Sequence, residues 1–371
     1  MTVKILFMTL AFVLAIPAMA LRSGDKALEP LQVKWYKGSA FRFAYPNTNE
    51  NSKKLSVAVF LLCRAPQAVP SMMMLESLAA KYGKNINIAV ITPDSADDLK
   101  MLLNILPINR ISAGVDESRK LTAEFMAGSP LYPMAFVTDY KGKIIWSGEA
   151  VDLGEMVSRR FEGKFDEKAA KEISPLLDEL HVCMRNNDDR RMSNIVEKIL
   201  ALEPGNAAAL RLRLFSLEQR NRTLEAWQLL YSELEKAPAI ARLYFTGIDL
   251  ITADRRIAGQ LEKLLVSFER NIKDAEHRSL MAYTLCERIS YNSVALKMAD
   301  KLLATVKVEE LSGASAALYY AAKADVSYRK CQLENAVKFQ KKCVECWQSA
   351  GSEININNAK ARLDYFTSIG K

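Results

Sequence analysis

The chain has 371 residues, of which half are hydrophobic and a quarter are charged, and its formal net charge is +8 at pH 7. This length predicts two domains, and the composition excludes a disordered chain. No dense stripe of Lys and Arg with interleaved aromatic residues occurs, so the charge is typical of a solvated basic surface and does not indicate nucleic-acid binding. No pattern indicates a particular oligomeric state.

Residues 1–20 have the features of a targeting segment. Lys4 precedes an apolar run of 12 residues, Ile5 to Ile16, and Pro17 and Ala18-Met19-Ala20 follow. This order predicts a secretory signal peptide that is cut after Ala20. The run is shorter than the roughly 20 residues that span a bilayer, and no later segment reaches that length without charges. We therefore expect an exported chain, periplasmic or secreted, without an integral membrane segment.

Residues 21–165 alternate between strand and helix patterns after a polar, irregular start. Leu55–Leu62 is a continuous apolar run, which predicts a strand buried on both faces of a sheet. A second such strand is predicted at Asn85–Thr92. Helices are predicted at Pro70–Tyr82, Asp94–Leu106 (capped by Asp94 or Ser95), Ser118–Met126 and Leu153–Phe161, and hairpin strands at Met134–Thr138 and Lys143–Ser147. This alternation predicts a layered α/β domain.

The segment from Phe60 to Tyr82 reads FLLCRAPQAVPSMMMLESLAAKY. It resembles the active-site stretch of bacterial envelope thioredoxin-like proteins, of the thiol-disulfide oxidoreductase and alkyl hydroperoxide reductase superfamily. Those proteins have a strand that ends in Phe, five residues, Cys-x-x-Cys, and a helix that ends near Lys-Tyr. In this register the two cysteine positions fall on Ala65 and Ala68. The resemblance extends over residues 23–165 and implies a thioredoxin-like fold with a degenerate active site.

The two alanines remove the chemistry that the family's motif performs. In a thioredoxin one thiolate attacks a disulfide, and the second thiol resolves the mixed disulfide. A methyl group can do neither. We therefore expect Ala65-Pro66-Gln67-Ala68 to leave a domain that binds other proteins rather than a dithiol enzyme.

Pro133 lies where the family places a proline whose preceding peptide bond is cis. The resemblance implies a cis bond after Tyr132, beside a groove that accepts an extended peptide. The residues expected to form this binding surface are Arg64, Pro66, Gln67, Tyr132 and Pro133.

From residue 166 to residue 371 the strand-like runs give way to successive amphipathic helices. Pro204 and Pro238 are 34 residues apart, which is the tetratricopeptide period. Near the end, the best match to that repeat has Cys331 at the position of its turn glycine, and its large and small positions hold Tyr320, Ala324, Ala336 and Cys343. The region resembles degenerate tetratricopeptide repeats, which implies an all-α array that binds segments of other proteins.

Three alternatives remain open. Cys63 could act as the nucleophile of a thiol-disulfide oxidoreductase or of a peroxidase-like enzyme, although Phe60 replaces the Thr or Ser that a peroxidase motif requires. Cys63 is otherwise a small buried residue at a strand end. Cys343 and Cys346 have dithiol spacing, but they lie inside a predicted helix, where packing is the simpler interpretation. A holdase chaperone could use Met72-Met73-Met74 as an adaptable lip.

The sequence favours a redox-inactive scaffold in the cell envelope, with other envelope proteins or peptides as partners. It predicts no cofactor. It also predicts no metal site, because His181 and His277 are far apart in the chain and have no ligands at metal-binding spacing.

Overall fold

The computed structural model describes residues 21–45, 54–106, 108–126, 132–351 and 353–369. The predicted signal peptide, residues 1–20, lies outside them. The chain divides into two compact units, the first ending at Pro175 and the second beginning at Leu176. This division falls inside the helix Glu167–Arg185, whereas the boundary predicted at residue 165 precedes that helix. Within the described ranges, no helix combines the length and apolar character needed to cross a membrane.

The first unit contains a six-stranded sheet. Its strands are β1 (Lys34–Lys37), β2 (Leu55–Phe60), β3 (Ile86–Thr92), β4 (Ser112–Val115), β5 (Met134–Thr138) and β6 (Ile144–Glu149). They lie in the order β1-β4-β3-β2-β5-β6. Strands β2, β3 and β4 are parallel, and β5 is antiparallel to both β2 and β6. The helices are α1 (Ala68–Tyr82), α2 (Ala96–Asn104), α3 (Lys120–Met126) and α4 (Leu153–Phe161).

One helix follows each of the parallel strands, and α4 follows the terminal hairpin. A β-α-β unit joined to a β-β-α unit in this strand order is a thioredoxin-like fold, as the sequence predicted.

The continuous apolar run of β2 is buried on both faces, as expected for a central strand. Successive side chains point to opposite faces of the sheet. On one face Val57 and Val59 pack in a core with residues of α1, and on the other Phe60 packs in a second core. The ring of Phe60 lies 5.1 Å from that of Phe125 and 5.7 Å from that of Phe136. Burying each of these rings contributes about 1.5–3 kcal/mol.

Strands β1 and β4 were missed in the sequence, because both are short and β4 lacks a β-branched run. Its sequence is Ser-Ala-Gly-Val, yet all four residues are buried. The strands approach so closely that a Cβ atom on Gly114 would lie 2.5 Å from Cγ1 of Val33. Glycine is therefore required at position 114.

Other element ends differ from their predictions by a few residues. Strand β2 ends at Phe60 rather than at Leu62, and α1 begins two residues earlier than predicted, at Ala68. Helix α2 is shorter than predicted at both ends, and Ser95 is its N-cap, accepting a hydrogen bond from the backbone N–H of Asp98.

From Leu176, the described residues of the second unit form helices joined by short turns, without a strand. Its helices are α5 (Glu167–Arg185), which begins in the first unit, α6 (Asp189–Leu202), α7 (Ala207–Gln219), α8 (Thr223–Lys236), α9 (Ala241–Ala253), α10 (Leu261–Asn271), α11 (Ala275–Arg288), α12 (Ser293–Ala304), α13 (Gly313–Arg329), α14 (Leu333–Ala350) and α15 (Glu353–Ile369). Side chains that accept a first-turn backbone N–H begin several of them: Asp188, Asn206, Asp274, Asn292 and Ser312. The all-α character predicted from residue 166 is confirmed.

Three turns between helices each contain a residue other than glycine with a positive φ. These residues are Asn187 (54°), Asn221 (57°) and Cys331 (59°). Positive φ is the region that glycine favours and that asparagine tolerates. Cys331 therefore has the backbone conformation of the glycine whose position the sequence assigned to it. Asn187 and Asn221 are 34 residues apart, although the repeat assignment itself stays a prediction.

Candidate functional site

The candidate site lies at the end of the sheet where β2 finishes and β5 begins. We call this end of the strands the sheet edge. These strands are antiparallel, and Phe60 pairs with Met134. This register places the loop 61–67 beside Tyr132 and Pro133, although about 70 residues separate them in the chain. Strand β3, parallel to β2, ends at the same edge, so its following residues also lie there.

Ala65 and Ala68 lie at the start of α1. The backbone N–H of Ala68 donates to the carbonyl of Ala65 at 2.9 Å, and the N–H of Ala65 donates to the carbonyl of Leu62 at 3.1 Å. Ala68 is buried and Ala65 is half-buried. The N-cap residue, Gln67, makes no side-chain capping bond. These two positions therefore present methyl groups at a helix N-terminus, the location at which a thiol pKa would be lowered.

Cys63 is held in the loop by contacts with the end of β3. Its backbone N–H donates to Oδ2 of Asp94 at 2.7 Å, and its thiol donates to Oγ1 of Thr92 at 3.6 Å. Only 9% of Cys63 is exposed. Burial raises the pKa of the thiol, and the carboxylates of Asp94 and Asp98 raise it further, against the opposing effect of Thr92. Because the thiolate is the nucleophile, this environment makes Cys63 a weak one.

Arg64 anchors the exposed side of the loop to α2. Its Nε lies 2.8 Å from Oδ1 of Asp98, while its side chain stays 81% exposed. The hydroxyl of Ser95 and the Arg64 guanidinium together lower the pKa of the Asp98 carboxyl. One face of Arg64 is thus engaged, and the rest remains accessible beside Pro66 and Gln67, which are also exposed.

The peptide bond between Tyr132 and Pro133 is cis, as the sequence predicted. The carbonyl of Pro133 accepts a hydrogen bond from the N–H of Ala150 at 3.0 Å. The Tyr132 side chain is half-buried and packs against the core that contains Phe60. Burial raises the pKa of Tyr132, the Asp94 carboxylate raises it further, and Arg119 opposes both. Tyr132 is therefore a neutral phenol at physiological pH.

Three polar residues of this edge were not recognised as site residues in the sequence. Asp94 was considered only as a helix cap, but its carboxylate accepts from Cys63 while Ser95 caps α2. Asp98 binds Arg64, and Arg119 donates from Nε to the carbonyl of Pro93 at 3.3 Å. The missed signal is positional: polar residues that directly follow parallel strands meet at one sheet edge.

The other sequence candidates, the methionines of α1 and the cysteines of α14, are mostly buried or half-buried. Met72 is buried, Met74 is half-buried against the same core, and Met73 is 41% exposed. Cys343 is buried and Cys346 half-buried inside α14, and burial raises the pKa of both thiols. Within the described part of the chain, no three His, Cys, Asp or Glu residues cluster as a metal site would require.

No protein-family model matches the chain, and no curated protein matches it. Several solved structures are similar to its N-terminal part. A thioredoxin-like protein in its oxidized form is 19% identical, with 40% of this chain and 100% of that chain covered and a TM-score of 0.32. A peroxiredoxin-like protein from Aquifex aeolicus is 16% identical over 39% of this chain and 88% of that chain, with a TM-score of 0.30.

A thioredoxin-like protein from Porphyromonas gingivalis is 14% identical over 39% of this chain and 96% of that chain, with a TM-score of 0.29. The fold assignment rests on the strand order and on the placement of the helices, which do not depend on these likenesses.

Proposed function

We propose that the first unit is a redox-inactive thioredoxin-like module that binds an extended segment of another envelope protein. The supporting observation is the sheet edge itself, where exposed Arg64, Pro66 and Gln67 lie beside Tyr132 and Pro133. The surface keeps charge, hydrogen-bonding groups and an aromatic ring, while Ala65 and Ala68 supply no thiol. Such a surface can bind a peptide without exchanging disulfides with it.

The environment of Cys63 favours binding over thiol catalysis. A catalytic thiol needs exposure and a lowered pKa, and Cys63 has neither. Arg64, the cation next to Cys63 in the sequence, pairs with Asp98. An oxidoreductase or a peroxidase that uses Cys63 is therefore the weaker proposal.

The second unit extends the proposal to a scaffold with two binding regions. We infer that its helices form degenerate tetratricopeptide-like repeats. The 34-residue spacing of Asn187 and Asn221, both at positive φ between successive helices, supports this inference. Helix pairs of this kind bind segments of other proteins.

We place the scaffold in the periplasm or outside the cell, because residues 1–20 have the order of a secretory signal peptide. Intact mass of the protein purified from its native envelope tests this placement. Cleavage after Ala20 supports export, and an intact N-terminus in a cytosolic fraction contradicts it.

Site-specific photo-crosslinking tests the binding surface. A photoreactive residue in place of Gln67 should crosslink to one discrete partner in intact envelopes. The same residue in place of Lys84, which is exposed just after α1, should not. Crosslinks to many unrelated proteins at position 67 would favour a holdase chaperone, and equal crosslinking at both positions would refute the proposed surface.

Alkylation of the folded protein separates the scaffold from the thiol enzyme. Between neutral pH and about pH 9, Cys331, which is exposed, should react first, and Cys63 should react slowly until denaturant is added. Mass mapping of the labelled peptides gives both rates. Fast labelling of Cys63 at neutral pH would mean that a thiolate persists there, and the enzyme proposal would replace the scaffold proposal.

A further inference from the structure

A cluster of lysine and aromatic side chains lies on the surface of α13 and α14 in the second unit. Nζ of Lys323 lies 5.3 Å from the centre of the Tyr319 ring and 5.2 Å from that of the Phe339 ring. Nζ of Lys342 lies 5.2 Å from the centre of the Tyr320 ring. The rings of Tyr320 and Phe339 stack, with their centres 6.4 Å apart. Two lysine charges, one from each helix, therefore lie over the same group of rings.

Two further lysines extend this cluster along α14. Lys338 and Lys341 are exposed, as is Lys342. Residues three and four apart lie on one face of a helix, so Lys338 shares a face with both Lys341 and Lys342. The three ammonium groups thus project from about one turn of α14. We call Lys323, Lys338, Lys341 and Lys342 the lysine patch.

The lysine patch keeps a net positive charge. Among the residues that the structure describes, no carboxylate lies within ion-pair distance of these four lysines. Glu334 is four residues before Lys338, and Glu345 is four residues after Lys341, which is a spacing at which ion pairs form on a helix. Neither carboxylate makes such a pair. Four ammonium groups therefore stand against two carboxylates at the ends of the patch.

The stability of α14 does not account for these lysines. Like charges three and four residues apart destabilise a helix, and Lys338 forms such a pair with Lys341 and another with Lys342. A negatively charged partner would remove this repulsion. The arrangement therefore favours binding to an anion over a solvated helix face alone.

We propose that the lysine patch binds the surface of a membrane that contains anionic phospholipids. Side chains on one face of a helix project toward a flat surface rather than around a small ion, so several headgroups are contacted at once. Each lysine near such a surface strengthens binding about five-fold. The half-buried rings of Tyr320 and Phe339 supply apolar surface beneath the ammonium groups, which suits the boundary between headgroups and acyl chains.

This surface adds a second contact to the scaffold proposed above and takes no part in peptide binding at the sheet edge. The choice of phospholipid over nucleic acid rests on the proposed export, since an exported chain meets membrane surfaces. The two proposals fail separately, because loss of vesicle binding does not alter crosslinking at position 67.

Flotation of the processed chain, which begins at Leu21, with lipid vesicles tests the proposal. Residues 1–20 are omitted because their apolar run would bind lipid by itself. Vesicles of equal parts phosphatidylglycerol and phosphatidylcholine should carry the protein, and vesicles of phosphatidylcholine alone should not. Salt at about 0.5 M should release the protein, because it screens exposed charges.

The variant Lys338→Gln, Lys341→Gln and Lys342→Gln should weaken binding to the phosphatidylglycerol vesicles at least about ten-fold. The matched control removes the same charge at exposed lysines elsewhere in the second unit and should weaken binding less than about two-fold: Lys198→Gln, Lys273→Gln and Lys307→Gln. An equal loss in the two variants overturns the proposal, because net charge rather than the lysine patch would then hold the protein.

A gain of binding tests the same surface without removing a lysine. Glu334→Gln combined with Glu345→Gln should tighten binding at least about two-fold, because both carboxylates repel the headgroups. Unchanged or weaker binding by this variant overturns the proposal, as does equal binding of the parent to the two kinds of vesicle. Binding to soluble polyglutamate through the same three lysines of α14, without vesicle binding, also overturns it and assigns the lysine patch to an acidic protein segment.

Discussion

At the scale of single residues, Ala65 and Ala68 place methyl groups at the start of α1. The hydrogen bond from the N–H of Ala68 to the carbonyl of Ala65 closes a turn there. We expect Ala65→Cys combined with Ala68→Cys to form a reversible disulfide and to gain disulfide-reductase activity, because the helix N-terminus lowers the pKa of a thiol at position 65. Reduction of insulin disulfides and the mass of the oxidised protein measure the two effects.

The matched control is Ala65→Ser combined with Ala68→Ser, which has similar side-chain size and no redox chemistry. It should fold equally well and remain inactive. If the cysteine variant folds but forms no disulfide, these two positions do not correspond to a dithiol motif, and the alignment with thioredoxin-like proteins is wrong at this loop.

At the scale of elements, the turn between α6 and α7 depends on Gly205. Its φ is +73°, and a Cβ atom there would lie 2.7 Å from Cδ1 of Ile240. Its N–H also donates to Oε2 of the buried Glu233 at 2.9 Å. Gly205→Ala should therefore lower the free energy of unfolding by about 1–2 kcal/mol, because left-handed backbone disfavours a side chain and the new methyl group also collides with Ile240.

Urea denaturation measures this effect, and Gly259→Ala is the control. A Cβ atom on Gly259 would meet nothing within 4 Å, and its φ is not in the left-handed region. That variant should stay within about 0.5 kcal/mol of the parent. Equal effects of the two substitutions would mean that the turn adjusts freely and that glycine is not required at position 205.

Some elements of the fold can be predicted from the sequence, and others cannot. The strand β2 and the long helices are predictable because their apolar residues recur with the period of the element. Strand β4 is not, because four residues with Ser and Gly give no period, and its burial comes from neighbouring strands. The contact between Asp94 and Cys63 was missed because Asp94 and Ser95 compete for one capping role, and local sequence does not decide between them.

At the scale of the whole molecule, the sequence predicts the residues of the sheet edge but not a cavity of about 530 Å³ that α11, α13, α14 and α15 line within the second unit. Arg64 and Pro133 come together through strand register, which the resemblance to thioredoxin-like proteins implied. The cavity depends on how α11, α13, α14 and α15 pack, and no local pattern records that packing.

Burial of thiols in both units predicts how stability changes with pH. Burial raises the pKa of Cys286 and of Cys343 from 9.0 to about 12, and it also raises the pKa of Cys63. The folded state therefore holds these protons more tightly than the unfolded state does. The stability that these protonated, buried thiols contribute is complete below about pH 9 and is lost as pH rises toward about 12. The free energy of unfolding should therefore fall over that interval.

Urea denaturation at a series of pH values from neutral to about pH 10 measures this slope. Cys286→Ala should lower stability at neutral pH, because a buried sulfur is removed, and should also flatten the alkaline slope. Cys331→Ala, at the exposed turn, should leave the slope unchanged. The helical unit should lose more stability than the α/β unit, because both thiols with a pKa near 12 lie in it. Parallel slopes for the parent and Cys286→Ala would mean that other groups cause the alkaline loss.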